Sequence, residues 1–278
     1  MTVTITPIAP HIGGELVGLT GRDLIDPSST TRWIANLAQF GVLVFREVNV
    51  TDDELLEFSR QLGDVVVGRT GEHRYPEIST ITLDPDRTDA VLAWYRQGNF
   101  LWHLDGATDE LPQKATLLTA REVDESGGDT EFASTYAAYE ALPESEKEQL
   151  TDLQVVHSFA HAQLLAHPDA SESERAGWDR VPTRVHPLVW THRDGRRSLV
   201  LGATATEVVS WPYDEGRALL DRLLDWSTQT EFRLRHHWRQ GDLVIWDNTG
   251  MLHRALRFQP TSRRLMHRTT LVGEEMVV

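Results

Sequence analysis

Residues 232–246 read Phe-Arg-Leu-Arg-His-His-Trp-Arg-Gln-Gly-Asp-Leu-Val-Ile-Trp. The first seven residues predict a strand, residues 240–242 predict a turn, and residues 243–246 predict a second, apolar strand. Further short strands are predicted at residues 251–256 and 265–272. Strands and helices do not alternate regularly here, which argues against a parallel α/β sheet. This run of short strands favours a β-sandwich or a jelly roll.

Helices accompany these strands, mostly earlier in the chain. Apolar residues at helical spacing predict helices at 29–40 and around 219–226, and a capping box at residues 51–54 predicts the start of another. Asp194 and Gly195 separate two apolar stretches, which indicates a β-hairpin. Because no repeat or linker divides the sequence, we expect one domain over residues 1–278. It would be mainly β with helical decoration (α+β), with a helical and loop insert at about 135–182.

The composition restricts the classes of function. The chain has 278 residues, a formal net charge of −15 and no cysteine. The negative charge argues against binding to nucleic acid or to an anionic membrane surface. No apolar run reaches the roughly 20 residues of a membrane-spanning helix, and residues 1–7 do not resemble a secretory signal. We therefore expect a cytoplasmic enzyme whose metal site, if it has one, contains no thiolate.

A candidate metal site begins in residues 100–106, Phe-Leu-Trp-His-Leu-Asp-Gly. On a strand, His103 and Asp105 would point to the same face. His253 is a third candidate ligand, on a predicted strand that a jelly roll could bring beside them. Two histidines and one carboxylate form the facial triad of non-haem Fe(II) oxygenases. By itself, however, the His-x-Asp pattern also fits a solvent-facing pair or a structural histidine.

An arginine-rich segment follows His253. Residues 254–268 contain five arginines and no acidic residue, although the whole chain is acidic. Arg264 lies on the next predicted strand, where a hairpin could return it towards the metal. A buried guanidinium commonly binds a carboxylate through two N–H groups. The alternative for any single arginine here is a solvated strand residue, but the segment as a whole indicates an anion site.

Taken together, these motifs resemble the taurine dioxygenase / 2,4-dichlorophenoxyacetate dioxygenase family of Fe(II)/2-oxoglutarate-dependent enzymes. The resemblance extends from residue 42 to the end and rests on five motifs: Trp-His-Leu-Asp at 102–105, Gly-Gly-Asp-Thr-Glu-Phe at 127–132, Gly-Asp-Leu-Val-Ile-Trp-Asp-Asn at 241–248, His-Arg at 253–254 and Arg-Arg-Leu-Met-His-Arg-Thr-Thr at 263–270. Residues 185–192 and 217–224 are closer to the phenoxyacetate branch. The resemblance implies a double-stranded β-helix, which is a cupin-like jelly roll.

The resemblance also implies roles for individual residues. Three residues match the iron ligands: His103, Asp105 and His253. Two residues match the 2-oxoglutarate site: Thr130 and Arg264. Four residues are candidate substrate contacts: Asn99, Arg268, Arg69 and His73. The last two lie in a loop that matches neither branch well, so surface-loop residues are the alternative there. No catalytic side chain is implied beyond the iron ligands.

The implied cofactor is Fe(II), with 2-oxoglutarate and O₂ as cosubstrates. The implied reaction hydroxylates a small anionic substrate, aryloxyalkanoate-like or another carboxylate, with or without C–O or C–N cleavage, and releases succinate and CO₂. Within the family, a sulfonate or sulfate-ester dioxygenase and a tailoring hydroxylase of specialised metabolism are alternatives. Outside it, a metal-dependent hydrolase could use the same triad, and a jelly roll could be a non-catalytic binding module. The resemblance further implies a homo-oligomer, a dimer or a tetramer.

The remaining histidines are assigned structural positions. His157 and His161 have i, i+4 spacing, which predicts two residues on one helix face or lid. His236 and His237 alternate on a strand, so one should pack and the other should be exposed. His267 should point away from the face that Arg264 and Arg268 share.

Overall fold

Short strands and helices alternate irregularly along the computed structural model, which describes residues 4–68, 73–123, 128–259 and 262–278. The strands that these residues form, β1 to β15, are Thr6–Pro7, Gly14–Leu16, Val42–Phe45, Ser79–Ile81, Ala115–Glu122, Thr130–Ser134, Gln154–His157, Arg184–Pro187, Val189–Thr191, Arg197–Leu199, Ala205–Val208, Arg233–His236, Leu243–Asp247, Met251–Ala255 and Leu265–Thr270. Their α-helices, α1 to α9, are Gly21–Leu24, Thr30–Phe40, Asp52–Leu62, Ala90–Tyr95, Thr135–Glu140, Glu144–Leu150, Phe159–Ala166, Glu172–Trp178 and Tyr213–Ser227. Short 3₁₀ helices are Pro27–Ser29, Arg96–Phe100 and Thr230–Phe232. Within the described ranges, no helix is both long and apolar enough to cross a bilayer.

The larger sheet has seven strands in the order β1-β2-β3-β13-β5-β15-β4. Its central strand β13 pairs antiparallel with both β3 and β5, and β5 pairs antiparallel with β15. The predicted strands at 243–246 and 265–272 are therefore confirmed, and both lie in this sheet. β3 and β13 are buried along their whole length because the sheet is covered on both faces.

Helices α2 and α3 cover one face of the larger sheet, which we call the outer face. Trp33 of α2 packs edge-on against Phe45 of β3, with ring centroids 5.4 Å apart, and Phe58 of α3 packs on the same ring at 5.9 Å. The capping box before α3 forms as predicted, because the Thr51 hydroxyl accepts from the Glu54 N–H and the Glu54 carboxylate accepts from the Thr51 N–H. Local sequence signals therefore correctly placed this layer.

The smaller sheet, in the order β12-β6-β14, lies against the other, inner face. Phe132 of β6 is paired with Leu234 of β12 and with His253 of β14, so these three side chains share one face. Phe132 and Leu234 join a buried cluster with Val244 and Met266 of the larger sheet. Two sheets packed face to face around this cluster form the predicted jelly roll.

The segment predicted as a helical and loop insert contains helices α5 to α8 and also strand β7. This strand pairs antiparallel with β8 and β11 in a separate three-stranded sheet. The prediction that His157 and His161 share a helix face is wrong, because His157 ends β7 and His161 lies in α7. Strand pairing to distant segments, which local spacing cannot reveal, determines the conformation of residues 154–157.

Candidate active site

His103 and His253 lie side by side because their backbones pair. The N–H of each residue donates to the carbonyl oxygen of the other, at 3.1 and 3.0 Å, and the two ring centroids are 4.1 Å apart. Nδ1 of His103 lies 2.8 Å from the carbonyl oxygen of Leu101. Since a carbonyl only accepts, Nδ1 donates here, so in the neutral ring it is Nε2 that keeps the free lone pair. This tautomer presents Nε2 as a ligand atom.

Asp105 completes a cluster with the two histidines. It lies in a turn two residues after His103 instead of on the predicted strand, whose pairing is confined to the bridge at His103. Its Oδ1 is 3.8 Å from Nε2 of His103, and its Oδ2 is 3.7 Å from Nε2 of His253. The ligand atoms of the three residues all lie within 4.8 Å of one another. The structure therefore brings the three predicted metal ligands together.

The protonation states of His253 and Asp105 fit a divalent metal ion. Burial, reinforced by the neighbouring His103, lowers the pKa of His253 to about 3, so this imidazole is neutral at pH 7. Burial alone would raise the pKa of Asp105, but the nearby His253 and Arg268 outweigh it and lower that pKa to about 2. Neutral imidazoles and an ionised carboxylate are the forms that bind metals, and two histidines with one carboxylate suit Fe(II).

Two residues that the sequence analysis did not single out support Asp105. The hydroxyl of Thr116 on β5 donates to Oδ2 of Asp105 at 3.0 Å. The side-chain amide of Asn248 donates to the same hydroxyl at 2.9 Å. The sequence carried only an indirect signal, since Asn248 lies in one of the motifs behind the family resemblance.

Arg264 is a buried cation. Only 4% of the residue is exposed, and among the described residues no carboxylate lies within ion-pairing distance of its guanidinium. Burial lowers its pKa to about 10, although Asp129 opposes the shift, so the group remains charged at pH 7. A buried charge is costly unless it is paired. The position therefore favours an anionic ligand.

Gly128 and Phe258 shape the space around Arg264. Gly128 has a φ of +83°, and a Cβ at that position would stand 2.8 Å from Cδ and 2.9 Å from Nε of Arg264. The ring of Phe258 lies against the guanidinium, with its centroid 5.0 Å from Cζ. Only glycine fits both the backbone conformation and the close approach.

Thr130 begins β6 and shares a sheet face with His253. It is paired with Ala255, two residues beyond His253 on β14, so the two side chains project to the same inner side. The indole N–H of Trp238 donates to the Thr130 hydroxyl at 3.0 Å. Because this contact uses a lone pair, the hydroxyl proton remains available for an acceptor. The sequence analysis did not identify Trp238.

Arg268 lies on β15 and points to the inner face of the larger sheet. It is paired with Leu118 of β5, which belongs to the inner buried cluster, and its charge contributes to the low pKa of Asp105. Its Nε is buried and has no hydrogen-bond partner within the described part of the chain. Asn99 lies half-buried in the 3₁₀ helix before His103. Arg69 lies outside the described residues.

His73 does not join the three metal-ligand candidates. Its Nε2 lies 3.2 Å from Oδ2 of Asp52, and Nδ1 of His267 lies 2.7 Å from the other oxygen. His267 points to the outer face, as predicted, because it alternates with Arg268 along β15. This second cluster has metal-ligand spacing, but Arg121 already places a guanidinium nitrogen 2.6 Å from Asp52. We interpret it as an ion-pair network that anchors α3 and His73 to β15.

His236 and His237 alternate as predicted. The side chain of His236 is buried against Asp242, with Nε2 and Oδ2 3.2 Å apart, whereas that of His237 is exposed beside Asp129. Neither residue joins the metal-ligand candidates.

Comparison with known proteins identifies the family. Residues 4–270 match the model of the family described as "Taurine catabolism dioxygenase TauD, TfdA family". The chain belongs to the TauD/TfdA family. It is therefore an α-ketoglutarate-dependent dioxygenase, α-ketoglutarate being another name for 2-oxoglutarate, and the family resemblance of the sequence is confirmed.

Several TauD/TfdA relatives match over nearly the whole chain. An α-ketoglutarate-dependent 2,4-dichlorophenoxyacetate dioxygenase of Burkholderia sp. (strain RASC) is 34% identical, with 98% of this chain and 95% of that protein covered. An α-ketoglutarate-dependent sulfate ester dioxygenase of Pseudomonas putida is 30% identical, with 99% and 91% covered. The crystal structure of AAD-2 in complex with Mn(II) and N-oxalylglycine superposes with a TM-score of 0.84, at 31% identity and full coverage of both chains. The predicted double-stranded β-helix is thereby confirmed.

Proposed function

We propose that the chain is a single Fe(II)- and 2-oxoglutarate-dependent dioxygenase domain, residues 1–278, with an insert at about 135–182. It would hydroxylate a small anionic substrate, an aryloxyalkanoate or another carboxylate, with or without C–O or C–N cleavage. The observation that carries the proposal is the clustering of His103, Asp105 and His253, with all ligand atoms within 4.8 Å. The match to AAD-2, which was crystallised with Mn(II), supports a divalent metal.

In this proposal, His103, Asp105 and His253 would hold Fe(II). The Asp105 carboxylate would offset one charge of the metal, and Nε2 of His103, whose Nδ1 lies against the Leu101 carbonyl, would serve as a ligand atom. When bound, Fe(II) supplies the reaction of O₂ with 2-oxoglutarate that releases succinate and CO₂ and oxygenates a C–H bond. The protein's own contribution is to orient the three reactants and to exclude water.

Arg264 and Thr130 would bind 2-oxoglutarate. The buried guanidinium of Arg264 has N–H donors for a carboxylate and no competing anionic partner among the described residues. The Thr130 hydroxyl accepts from Trp238 and can donate its proton to the same ligand. An anion that pairs with Arg264 would also relieve the cost of its burial.

Arg268 would bind the anionic group of the substrate, and Asn99 would contact the substrate beside it. Arg268 lies near Asp105 and has a buried Nε without a partner in the described ranges. The 2,4-dichlorophenoxyacetate dioxygenase relative supports an aryloxyalkanoate. The sulfate ester dioxygenase relative supports a second candidate, a sulfate ester or sulfonate, because a guanidinium binds either anion.

The decisive experiment is an anaerobic titration of metal-free protein with Fe(II) and then with 2-oxoglutarate. Visible absorbance is measured after each addition. We expect a weak charge-transfer band only when both are present. His103→Ala should abolish it by removing a ligand, and Arg264→Ala should abolish it at moderate 2-oxoglutarate concentrations. A well-folded protein that gives no band, or that turns over without O₂, would instead favour a metal-dependent hydrolase.

The substrate class is tested in a second assay. Succinate formation would be measured with 2,4-dichlorophenoxyacetate, with a simple alkyl carboxylate and with an alkyl sulfate of equal length. We expect a carboxylate to give the largest stimulation over the substrate-free rate. Stimulation by the sulfate alone would select the second candidate.

The proposal also includes a homo-oligomer, a dimer or a tetramer, located in the cytoplasm. Size-exclusion chromatography with light scattering would give the number of subunits. A monomer at micromolar concentration would contradict this part of the proposal and leave the proposed chemistry unaffected.

A further inference from the structure

We infer that Thr116 and Asn248 are positioning residues that hold the Asp105 carboxylate in the orientation required for metal binding. This inference rests on the proposed function, because it concerns the proposed metal ligand. It begins from a chain of two hydrogen bonds, Asn248 Nδ2 to Thr116 Oγ1 at 2.9 Å and Thr116 Oγ1 to Asp105 Oδ2 at 3.0 Å.

The direction of both hydrogen bonds follows from the chemistry of the groups. An ionised carboxylate can only accept, so the single hydroxyl proton of Thr116 is donated to Asp105. The hydroxyl oxygen then accepts, and Asn248 must present its NH₂ group to it. The relay therefore has one arrangement, and Asp105 is held by a hydroxyl whose own rotation is restricted.

Asp105 has few other restraints on its side chain. It lies in a turn, and its carboxylate oxygens are 3.7 and 3.8 Å from the nearest histidine nitrogens, which is longer than a hydrogen bond. Within the part of the chain that the structure describes, Thr116 makes the hydrogen bond to this carboxylate. Without it, the carboxylate would have no hydrogen bond from the described residues to fix its orientation.

The relay also connects the two sheets. Thr116 lies on β5 of the larger sheet, and Asn248 lies in the turn directly after β13 of the same sheet. His253 lies on β14 of the smaller sheet, and His103 is paired to it. The two histidines are thus held by the smaller sheet, whereas Asp105 lies in a turn. The hydrogen bond from Thr116 ties that turn to the larger sheet. Thr116 and Asn248 therefore set where the carboxylate stands relative to the histidines.

Asn248 carries a cost that the relay explains. The residue is fully buried, and its Oδ1 has no hydrogen-bond partner among the described residues. A buried polar atom without a partner is destabilising, so an apolar residue would be preferred if only packing mattered. An asparagine at this position is accounted for by its Nδ2, which orients Thr116.

The test measures Mn(II) binding to metal-free protein in the absence of 2-oxoglutarate. The free Mn(II) ion is detected by electron paramagnetic resonance. Thr116→Val keeps the shape of the side chain and removes the hydroxyl. We expect it to weaken Mn(II) binding about 10- to 100-fold, the usual effect of losing a residue that orients a ligand. Thr116→Ser, which restores a hydroxyl, should bind nearly as wild type does.

Thr119→Val is the matched control. Thr119 lies on the same strand, is fully buried, and its hydroxyl has no hydrogen-bond partner in the described ranges. It faces the outer side of the sheet, so this substitution should leave Mn(II) affinity unchanged. If Thr119→Val weakens binding as much as Thr116→Val does, the effect belongs to the strand and the inference is overturned.

A double-mutant cycle tests the relay itself. Asn248→Ala should weaken Mn(II) binding in the same direction as Thr116→Val, and the double variant should bind no more weakly than Thr116→Val alone, because both act through one hydroxyl. Additive losses would contradict a relay. Asn248→Ala also keeps the inference testable if Thr116→Val folds poorly.

His103→Ala separates this inference from the proposed function. If wild type binds Mn(II) and His103→Ala does not, the proposed metal centre stands, and wild-type-like binding by Thr116→Val would then refute only the relay. If His103→Ala binds as wild type does, the proposed centre itself is wrong.

Discussion

Gly128 lies so close to Arg264 that a Cβ on the glycine would stand 2.8 Å from the arginine Cδ. The glycine also has a φ of +83°, a backbone conformation that other residues rarely adopt. The guanidinium is buried and lacks an anionic partner among the described residues, so its position depends on the walls around it. The absence of a side chain at Gly128 therefore makes room for Arg264 in the proposed 2-oxoglutarate site.

Gly128→Ala should raise the KM for 2-oxoglutarate about tenfold, which corresponds to about 1.4 kcal/mol of lost binding free energy, because the new Cβ must displace Arg264. Steady-state succinate formation at varied 2-oxoglutarate would measure it. Gly18→Ala is the control, since Gly18 also has a positive φ, +80°, but a Cβ there meets no atom within 4 Å. An unchanged KM in Gly128→Ala would remove Arg264 from the proposed cosubstrate site.

Gly202→Ala should weaken binding of the metal. A Cβ at Gly202 would stand 2.9 Å from the carbonyl oxygen of Trp102 and 3.0 Å from Cα of His103, so the segment that carries the first histidine would shift. We expect about a tenfold loss of Mn(II) affinity, because ligand geometry is sensitive to such displacements. Gly195→Ala has a similar positive φ without crowding and should bind as wild type does. Equal losses of Mn(II) affinity in both variants would mean that backbone strain, and not crowding against His103, causes the effect.

Trp238→Phe should raise the KM for 2-oxoglutarate several-fold without a comparable loss of kcat. The substitution removes the N–H that donates to the Thr130 hydroxyl at 3.0 Å, so that the hydroxyl can turn away from the ligand. A neutral hydrogen bond contributes about 0.5–1.5 kcal/mol, and the loss of that free energy corresponds to a several-fold rise in KM. Trp33→Phe is the control, because the Trp33 Nε1 is buried without a described partner and lies among the outer-face helices. If Trp33→Phe raises the KM equally, Trp238 has no specific role.

The stability of the fold should fall below about pH 6.5, and His157 should contribute to the decrease. Burial, with a smaller contribution from His186, lowers the pKa of His157 from 6.5 to about 3. Between these values the unfolded chain binds a proton that the folded chain excludes, so lowering the pH favours unfolding. The stabilisation that depends on a neutral His157 is fully present above pH 6.5 and is lost as the pH falls towards 3.

Urea unfolding at intervals from pH 7.5 to 4.5 would measure this dependence. One such histidine contributes a slope of up to about 1.4 kcal/mol per pH unit in the free energy of unfolding. His157→Gln should be less stable than wild type at pH 7.5, because it disturbs the contact with Thr204, but its stability should decline less steeply with falling pH. Parallel curves for the two proteins would show that His157 does not titrate in this range.

Several elements were predictable from the sequence because their signals are local. The capping box at Thr51 and Glu54 satisfies its own backbone donors, so it requires no distant partner. The apolar strand β13 and the hairpin of β9 and β10 were likewise recognisable from a few consecutive residues. The chemistry of two histidines and an aspartate was also visible, because few residue types bind iron.

Tertiary structure alone determined the rest. Strands β6 and β7 were not predicted as strands, because their conformation depends on pairing with segments far along the chain. Thr116, Asn248 and Trp238 are ordinary core residues in the sequence. Only tertiary packing brings Asn248 to Thr116 and Trp238 to Thr130. The sequence by itself determined the chemical groups and the local elements of this protein. Which of those groups stand within 3 to 4 Å of one another was decided by long-range pairing of strands, whose free energy depends on contacts between residues that the chain does not place near each other.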